Sequence, residues 1–193
     1  MRVHPIKDAQ KIAAIKKLLE YKPREYALFV IGIYTNLRAS DILNLKIGQV
    51  KSLREGSSLV IKEIKTKKIR DEIYINAEVA EGLRRVLAVR NLQNPADDEF
   101  LFVRADKKPP HTKPLSRTHF TKFVKRWCAE AGLPEKNYGT HTLRKTFGYM
   151  NHRAGVNLAL LMKAFNHSSQ AMTLAYLGYE QEDLNELYKN TKY

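Results

Sequence analysis

Apolar residues recur at helical spacing along most of this chain and alternate in only one region. Between Asp8 and Tyr21, Ile12, Ile15, Leu18 and Leu19 fall three or four positions apart, which predicts an amphipathic helix. Pro23 suits the first turn of a second helix, where its missing N–H needs no partner. That helix carries Tyr26 to Tyr34, is apolar almost all round, and so belongs in the centre of a core. "RASDILNLKI" predicts a further helix, with Ser40 as its cap and Ile42, Leu43 and Leu45 behind it. The period then changes. "SLVIKEI" and "RDEIYI" are short alternating runs joined by lysines, the pattern of a β-hairpin. Helical spacing returns from Glu78 to Arg90, and "FLFV" is a candidate for one more strand. "RADKKPPHTKPLS" contains three prolines and reads as a loop. From Arg117 to Tyr188 the pattern gives several helices, with turns near Gly132–Pro134, Gly155 and Asn166–Ser168. The fold class expected is α+β, mainly helical, with a small antiparallel sheet near the middle of the chain.

The length, 193 residues, allows a single domain with a sizeable core, and 1–193 is read as one domain. The charge balance changes the picture more. Lys and Arg number 34 against 20 Asp and Glu, a formal net charge of +14 that favours a polyanionic partner, nucleic acid above all. A membrane surface is the competing polyanion. No apolar run is long enough to span a bilayer, and no charged-then-apolar leader is present, so no membrane partner is expected. Cys128 is the single cysteine, which rules out an internal disulfide and suits the reducing cytoplasm. Six histidines and one cysteine show no metal-ligand spacing, so neither metal nor cofactor is expected.

Candidate chemistry begins with "YGTHTLRKTF", where His141 and Arg144 lie one helical turn apart. On its own this is an ordinary solvated pair. It is also what a phosphate site requires, because an arginine fork grips two phosphate oxygens and an imidazole can donate to the same group. Four further features share that theme: Arg38 at a helix junction in "TNLRASDILNL", the lysine-rich hairpin tip "IKTKKIR", His167 in "AFNHSSQAMT", and Tyr176 nine residues beyond it. Each alone has a bland structural reading. Together they supply two arginines for the non-bridging oxygens of a phosphodiester, a lysine and histidines for proton transfer, and a tyrosine hydroxyl as nucleophile.

That ordered set resembles the catalytic domain of the tyrosine recombinases, the phage-integrase family, from about residue 5 to 188. "YTNLRASDILNLKIGQV" is similar to the family's first box, which implies Arg38 as the first catalytic arginine and Asp41 as a supporting acid. "HTLRKTF" is similar to the second box and implies His141 and Arg144. "FNHSSQAMTLAY" is similar to the third and implies His167 and the nucleophile Tyr176. The hairpin lysine implied is Lys65, with Lys67 and Lys68 as alternatives because the motif is loose there. Two glycines of the family pattern are replaced, by Asn36 and Asn166. Asparagine tolerates a left-handed backbone next best after glycine, so both turns should keep their geometry. Tyr179, one turn beyond Tyr176, does not fit the nine-residue spacing from His167.

The resemblance implies a site-specific recombinase or integrase that cleaves and rejoins DNA through a 3′-phosphotyrosine intermediate, without cofactor or small-molecule substrate. It also implies double-stranded DNA as partner and a homo-oligomer, a tetramer, on that DNA. The usual N-terminal core-binding domain is expected to be absent, the chain being a naturally short member or a fragment. Strand rejoining of the type IB topoisomerase kind is one alternative. A non-catalytic helix-turn-helix module spanning "VNLALLMKAFNHSSQAMTLAYL" is another, weakened because the second helix offers Ser169, Gln170 and Thr173 but no Lys or Arg. In the tail "EQEDLNELYKNTKY", Leu184, Leu187 and Tyr188 fall at helical spacing beside the acids Glu180, Glu182, Asp183 and Glu186. This predicts an amphipathic helix seating its leucines in an apolar groove, in cis in a free monomer or in trans in an assembly.

Overall fold

Asp8 starts the first helix by accepting a hydrogen bond from the Gln10 N–H at 2.7 Å, and α1 (Ala9–Leu18) follows. The computed structural model describes residues 3–65, 67–92, 94–104 and 113–191. Pro23 opens α2 (Pro23–Tyr34), in which every residue from Tyr26 to Ile33 is buried. A helix buried all round needs neighbours on several sides, and α2 has them in α5 (Ala77–Asn91) and α7 (Thr140–Arg153). Small residues let the backbones approach. A Cβ on Gly82 would lie 2.5 Å from Val30, and one on Gly32 would lie 2.5 Å from Leu143. On the third side, α6 (Arg117–Glu130), capped by Ser116, sets Trp127 edge-on to Phe29 with ring centroids 5.8 Å apart. The Trp127 indole N–H is satisfied by Glu25 at 2.6 Å.

The short helix after α2 starts earlier than its sequence suggests. Ser40 is not its cap: α3 (Ala39–Leu43) has Arg38 at the N-cap, with extended backbone and no side-chain cap bond, and Ser40 lies in the first turn. The cause lies upstream. Asn36 is left-handed (φ 57°) and redirects the chain so that the helix can begin directly after Arg38. A single-turn α4 (Ile47–Val50), not evident in the apolar pattern, follows.

The hairpin forms as β1 (Ser58–Lys62) and β2 (Ile69–Tyr74), antiparallel, with Ser58 opposite Tyr74 and Lys62 opposite Ile69. Its register shifts between Leu59 and Ile61, and Lys67 takes a left-handed conformation (φ 59°) in the turn. "FLFV" does not make a further strand. Phe100 forms one antiparallel bridge to Lys46, and the lysine ammonium lies 3.3 Å from the Phe100 ring centroid. Within the proline-rich loop, residues 105–112 lie outside the described residues.

The remaining helices are α8 (Leu158–Phe165), α9 (Gln170–Leu177) and α10 (Gln181–Asn190). Of these, α8 and α9 carry a second, small core of Leu161, Phe165 and Leu177, separate from the main one. As expected, Asn166 is left-handed (φ 55°) and ends α8. The tail helix forms, but the expected burial of its leucines in cis does not occur. Leu184 and Leu187 are 47% and 61% exposed. Its acids hold it instead. Glu180 pairs with His4 at 2.8 Å and Lys136 at 2.6 Å, while Asp183 pairs with Lys7 and accepts from Tyr149 Oη at 2.9 Å. In so basic a chain the acidic side finds partners on the domain, and the apolar side is left outward. Among the described residues, no helix is long and apolar enough to cross a membrane.

Candidate active site

The turn after α2 delivers the first arginine. Thr35 Oγ1 donates to Ile31 O at 2.7 Å as the helix ends, and Asn36 then reverses the chain. The Asn36 amide donates to Ala164 O at 2.7 Å, tying this turn to the end of α8. Asp41, on α3, accepts the Ile64 N–H at 2.9 Å and so fastens the hairpin to the same helix. Burial pushes its carboxyl above the usual range, against the opposing pull of that N–H, Arg38 and Arg144. The Arg38 guanidinium lies against Glu63, with Nη1 2.5 Å from Oε2. This is an ion pair rather than an aligned hydrogen bond, and Arg38 Nη1 carries no hydrogen bond among the described residues.

Helix α7 supplies the second arginine. Arg144 is 3% exposed. Its Nη2 donates to Phe165 O at 2.9 Å, one of the carbonyls left open at the end of α8, and its guanidinium lies 5.3 Å from the Phe165 ring centroid. Burial lowers its pKa from 12.5 to about 10; the repulsion of Arg38 and Arg70 adds to this, while Tyr176 and Glu63 oppose it. The buried Nη1 carries no hydrogen bond among the described residues. A buried guanidinium N–H is costly to leave open, and Arg144 Nη1 suits an oxygen of a bound anion.

Tyr176 reaches this cluster from α9. Its hydroxyl is 3.2 Å from His141 Nδ1 on α7. Its ring stands edge-on to Phe165 and His167, at centroid distances of 5.0 and 5.2 Å. Burial raises the phenol above its ordinary value, and Arg144 and Arg38 pull the other way. His167 stacks on Phe165 at 5.1 Å and bonds to Thr173 Oγ1 at 3.1 Å. Desolvation lowers both imidazoles. Arg117, Arg144, Lys145 and Lys65 add to the effect at His141, and Arg144 and Arg38 at His167. Tyr179 points elsewhere, with its hydroxyl bonded to His152 Nδ1.

Among the hairpin lysines, Lys65 adds its charge to the cations that hold His141 down. Lys67 occupies the left-handed turn position, and Lys68 Nζ lies 3.5 Å from Asn166 Oδ1. The structure therefore brings Arg38, Asp41, His141, Arg144, His167 and Tyr176 together, with Lys65 exposed at their edge. It adds residues the motifs did not mark: Glu63, Arg70, Phe165 and Lys145, whose ammonium lies 5.2 Å from the Tyr176 ring centroid. Glu63 left one trace in the sequence, since it continues the inward phase of Leu59 and Ile61 with a charge.

Comparison with known proteins identifies the family. The model of the phage integrase family matches residues 6–182. The chain is 36% identical over 188 residues to a probable integrase/recombinase, YoeC, of Bacillus subtilis, covering 97% of this chain and 96% of that one. It is 29% identical to tyrosine recombinase XerC of Caldanaerobacter subterraneus, covering 89% of this chain but 47% of that protein. In fold it is similar to XerH recombinase bound to its palindromic difH substrate in a post-cleavage complex, with a TM-score of 0.74 at 24% identity over 97% of this chain and 52% of that one. It is likewise similar to XerA recombinase, with a TM-score of 0.73 at 21% identity, covering 100% of this chain and 66% of that one. The chain belongs to the phage integrase family, the tyrosine recombinases.

Proposed function

We propose that this chain cuts and rejoins double-stranded DNA at specific sites, with Tyr176 as nucleophile. The observation that carries the reading is the Tyr176 hydroxyl 3.2 Å from His141, in a cluster with the buried, open N–H of Arg144. In the first step Tyr176 Oη attacks the scissile phosphorus and its proton passes to His141. A 3′-phosphotyrosine bond forms, and the bond from phosphorus to the 5′-oxygen breaks. Lys65 gives its proton to that leaving oxygen, producing a 5′-hydroxyl. Arg38 and Arg144 hold the two non-bridging oxygens as negative charge grows, and His167 donates to the phosphate. Asp41 supports the hairpin that carries Lys65. A 5′-hydroxyl from a partner strand then attacks the phosphotyrosine and releases Tyr176, so the strands exchange.

The exposed row of Leu184, Leu187 and Tyr188 supports assembly on DNA, with the tail helix of one copy docking in trans on the next to build a tetramer. The place of action would be the cytoplasm. The test is a duplex carrying a nick beside the scissile phosphate, which traps the adduct. The wild-type chain should give a protein–DNA band that survives denaturation, and recombinant product when two duplexes are supplied. Absence of both on DNA cut by a close relative would refute the reading.

A further inference from the structure

Among the described residues, the most deeply buried charged side chain is Glu63, at 1% exposure, and no motif marks it. A lone carboxylate at that depth is strongly disfavoured unless cations satisfy it. Here two do. Arg38 Nη1 lies 2.5 Å from Oε2, and Arg70 Nη1 lies 3.5 Å from Oε1. Arg70 also donates to Asn36 O at 3.3 Å, which ties the hairpin to the turn delivering Arg38. Glu63 therefore grips the guanidinium from the protein side. Its charge also lies among three arginines, 38, 70 and 144, that repel one another while no anion is bound.

We infer that Glu63 is a positioning residue: its carboxylate holds the Arg38 fork toward the phosphate site and offsets the repulsion among the three arginines while the site is empty. It acts through Arg38 and does not touch DNA. The inference rests on the cleavage reading for the role of Arg38. It also makes a distinction that simple structural support would not. Removing the negative charge should slow cleavage without weakening DNA binding, because the site becomes more cationic as its fork loosens.

The experiment compares wild type, Glu63→Gln and Glu63→Asp. Single-turnover adduct formation on nicked duplex, duplex affinity, and thermal unfolding are measured for each. Glu63→Gln should cut the cleavage rate at least tenfold with affinity equal or higher, and Glu63→Asp should recover part of the rate. In an Arg38→Lys background, Glu63→Gln should cost little more. A wild-type rate in Glu63→Gln would overturn the inference, as would an equal cost with and without the Arg38 fork. If Glu63→Gln does not fold, the same comparison runs on Glu63→Asp. A second readout needs no catalysis. Guanidinium nitrogen NMR should show slow Nη rotation at Arg38, assigned by its loss in Arg38→Lys, and faster rotation in Glu63→Gln or, where only that variant folds, Glu63→Asp. Unchanged rotation sinks the inference. Restrained rotation without any wild-type adduct sinks the cleavage reading instead.

Discussion

Tyr176 and Tyr179 are neighbours on one stretch of chain with different partners, and single-atom changes separate them. Tyr176→Phe removes only the hydroxyl near His141, so covalent adducts should vanish while folding and DNA affinity persist. Tyr179→Phe loses only its bond to His152, so adducts should remain. A denaturing gel reads both, and the reverse pattern would move the nucleophile. Arg144→Lys keeps a positive charge but loses the planar fork and its bond to Phe165 O, so adduct formation should fall at least tenfold. The histidines give a pH signature. Desolvation and nearby cations hold His141 and His167 below the ordinary imidazole value of 6.5, so the fold prefers them neutral. On acidification the unfolded chain takes up these protons first. Their contribution to stability is therefore complete above about pH 6.5 and is lost as pH falls through the folded values. Proton NMR titration should place both midpoints below 6.5 in the free protein and move them up when a duplex brings its phosphate. A midpoint above 6.5 for His141 without DNA would contradict this. The closeness of His141 to Arg144 and of His167 to Tyr176 was legible because α7 spaces the first pair and the turn into α9 the second. Glu63 and Arg70 were not, because their meaning comes from pairing with Arg38 across the fold.

The helices themselves were legible where one apolar face met the core, as in α1 and α5, and where a run was apolar all round, as in α2. Those that failed to follow the pattern had a cause outside it. Ser40 has the chemistry of a cap, but the left-handed Asn36 upstream lets the helix begin before it. The tail pattern gave a helix and not its orientation, because charge pairing with His4, Lys7 and Lys136 decided which side faces the domain. Its outward leucines lead to a clean test. Leu184→Ser with Leu187→Ser should leave thermal stability nearly unchanged, since little burial is lost. Assembly on DNA, followed by sedimentation, should weaken; unchanged assembly would show that the outward face has no partner. Within the fold, Gly148 is the point where α7 meets the second core. A Cβ there would lie 2.5 Å from Phe165 and 2.9 Å from Leu177. Both are buried rings or branches with little room to yield. Gly148→Ala should therefore cost about 1–3 kcal/mol in denaturant unfolding, and it should slow cleavage by shifting α9.

At the scale of the whole molecule, the net charge of +14 dominates encounters with DNA. Affinity should fall steeply and linearly in log–log form as salt rises, with modest preference among duplexes for this chain alone. Salt-insensitive binding to one short duplex would contradict that. Charge was fully legible from composition; the division of the core was not, because it depends on which apolar faces meet. Leu161, Phe165 and Leu177 form a small cluster apart from the one built on α2, and Tyr176 packs against it. Parts of a protein with few buried contacts open at lower free energy than its centre. The amides of α8 and α9 should thus exchange with deuterium well before those of α2 and α5, in a unit that can loosen while the body stays folded. Tyr176 would then travel on a piece that loosens before the body does, while Arg38 and Arg144 keep their backbones on the part that does not give way.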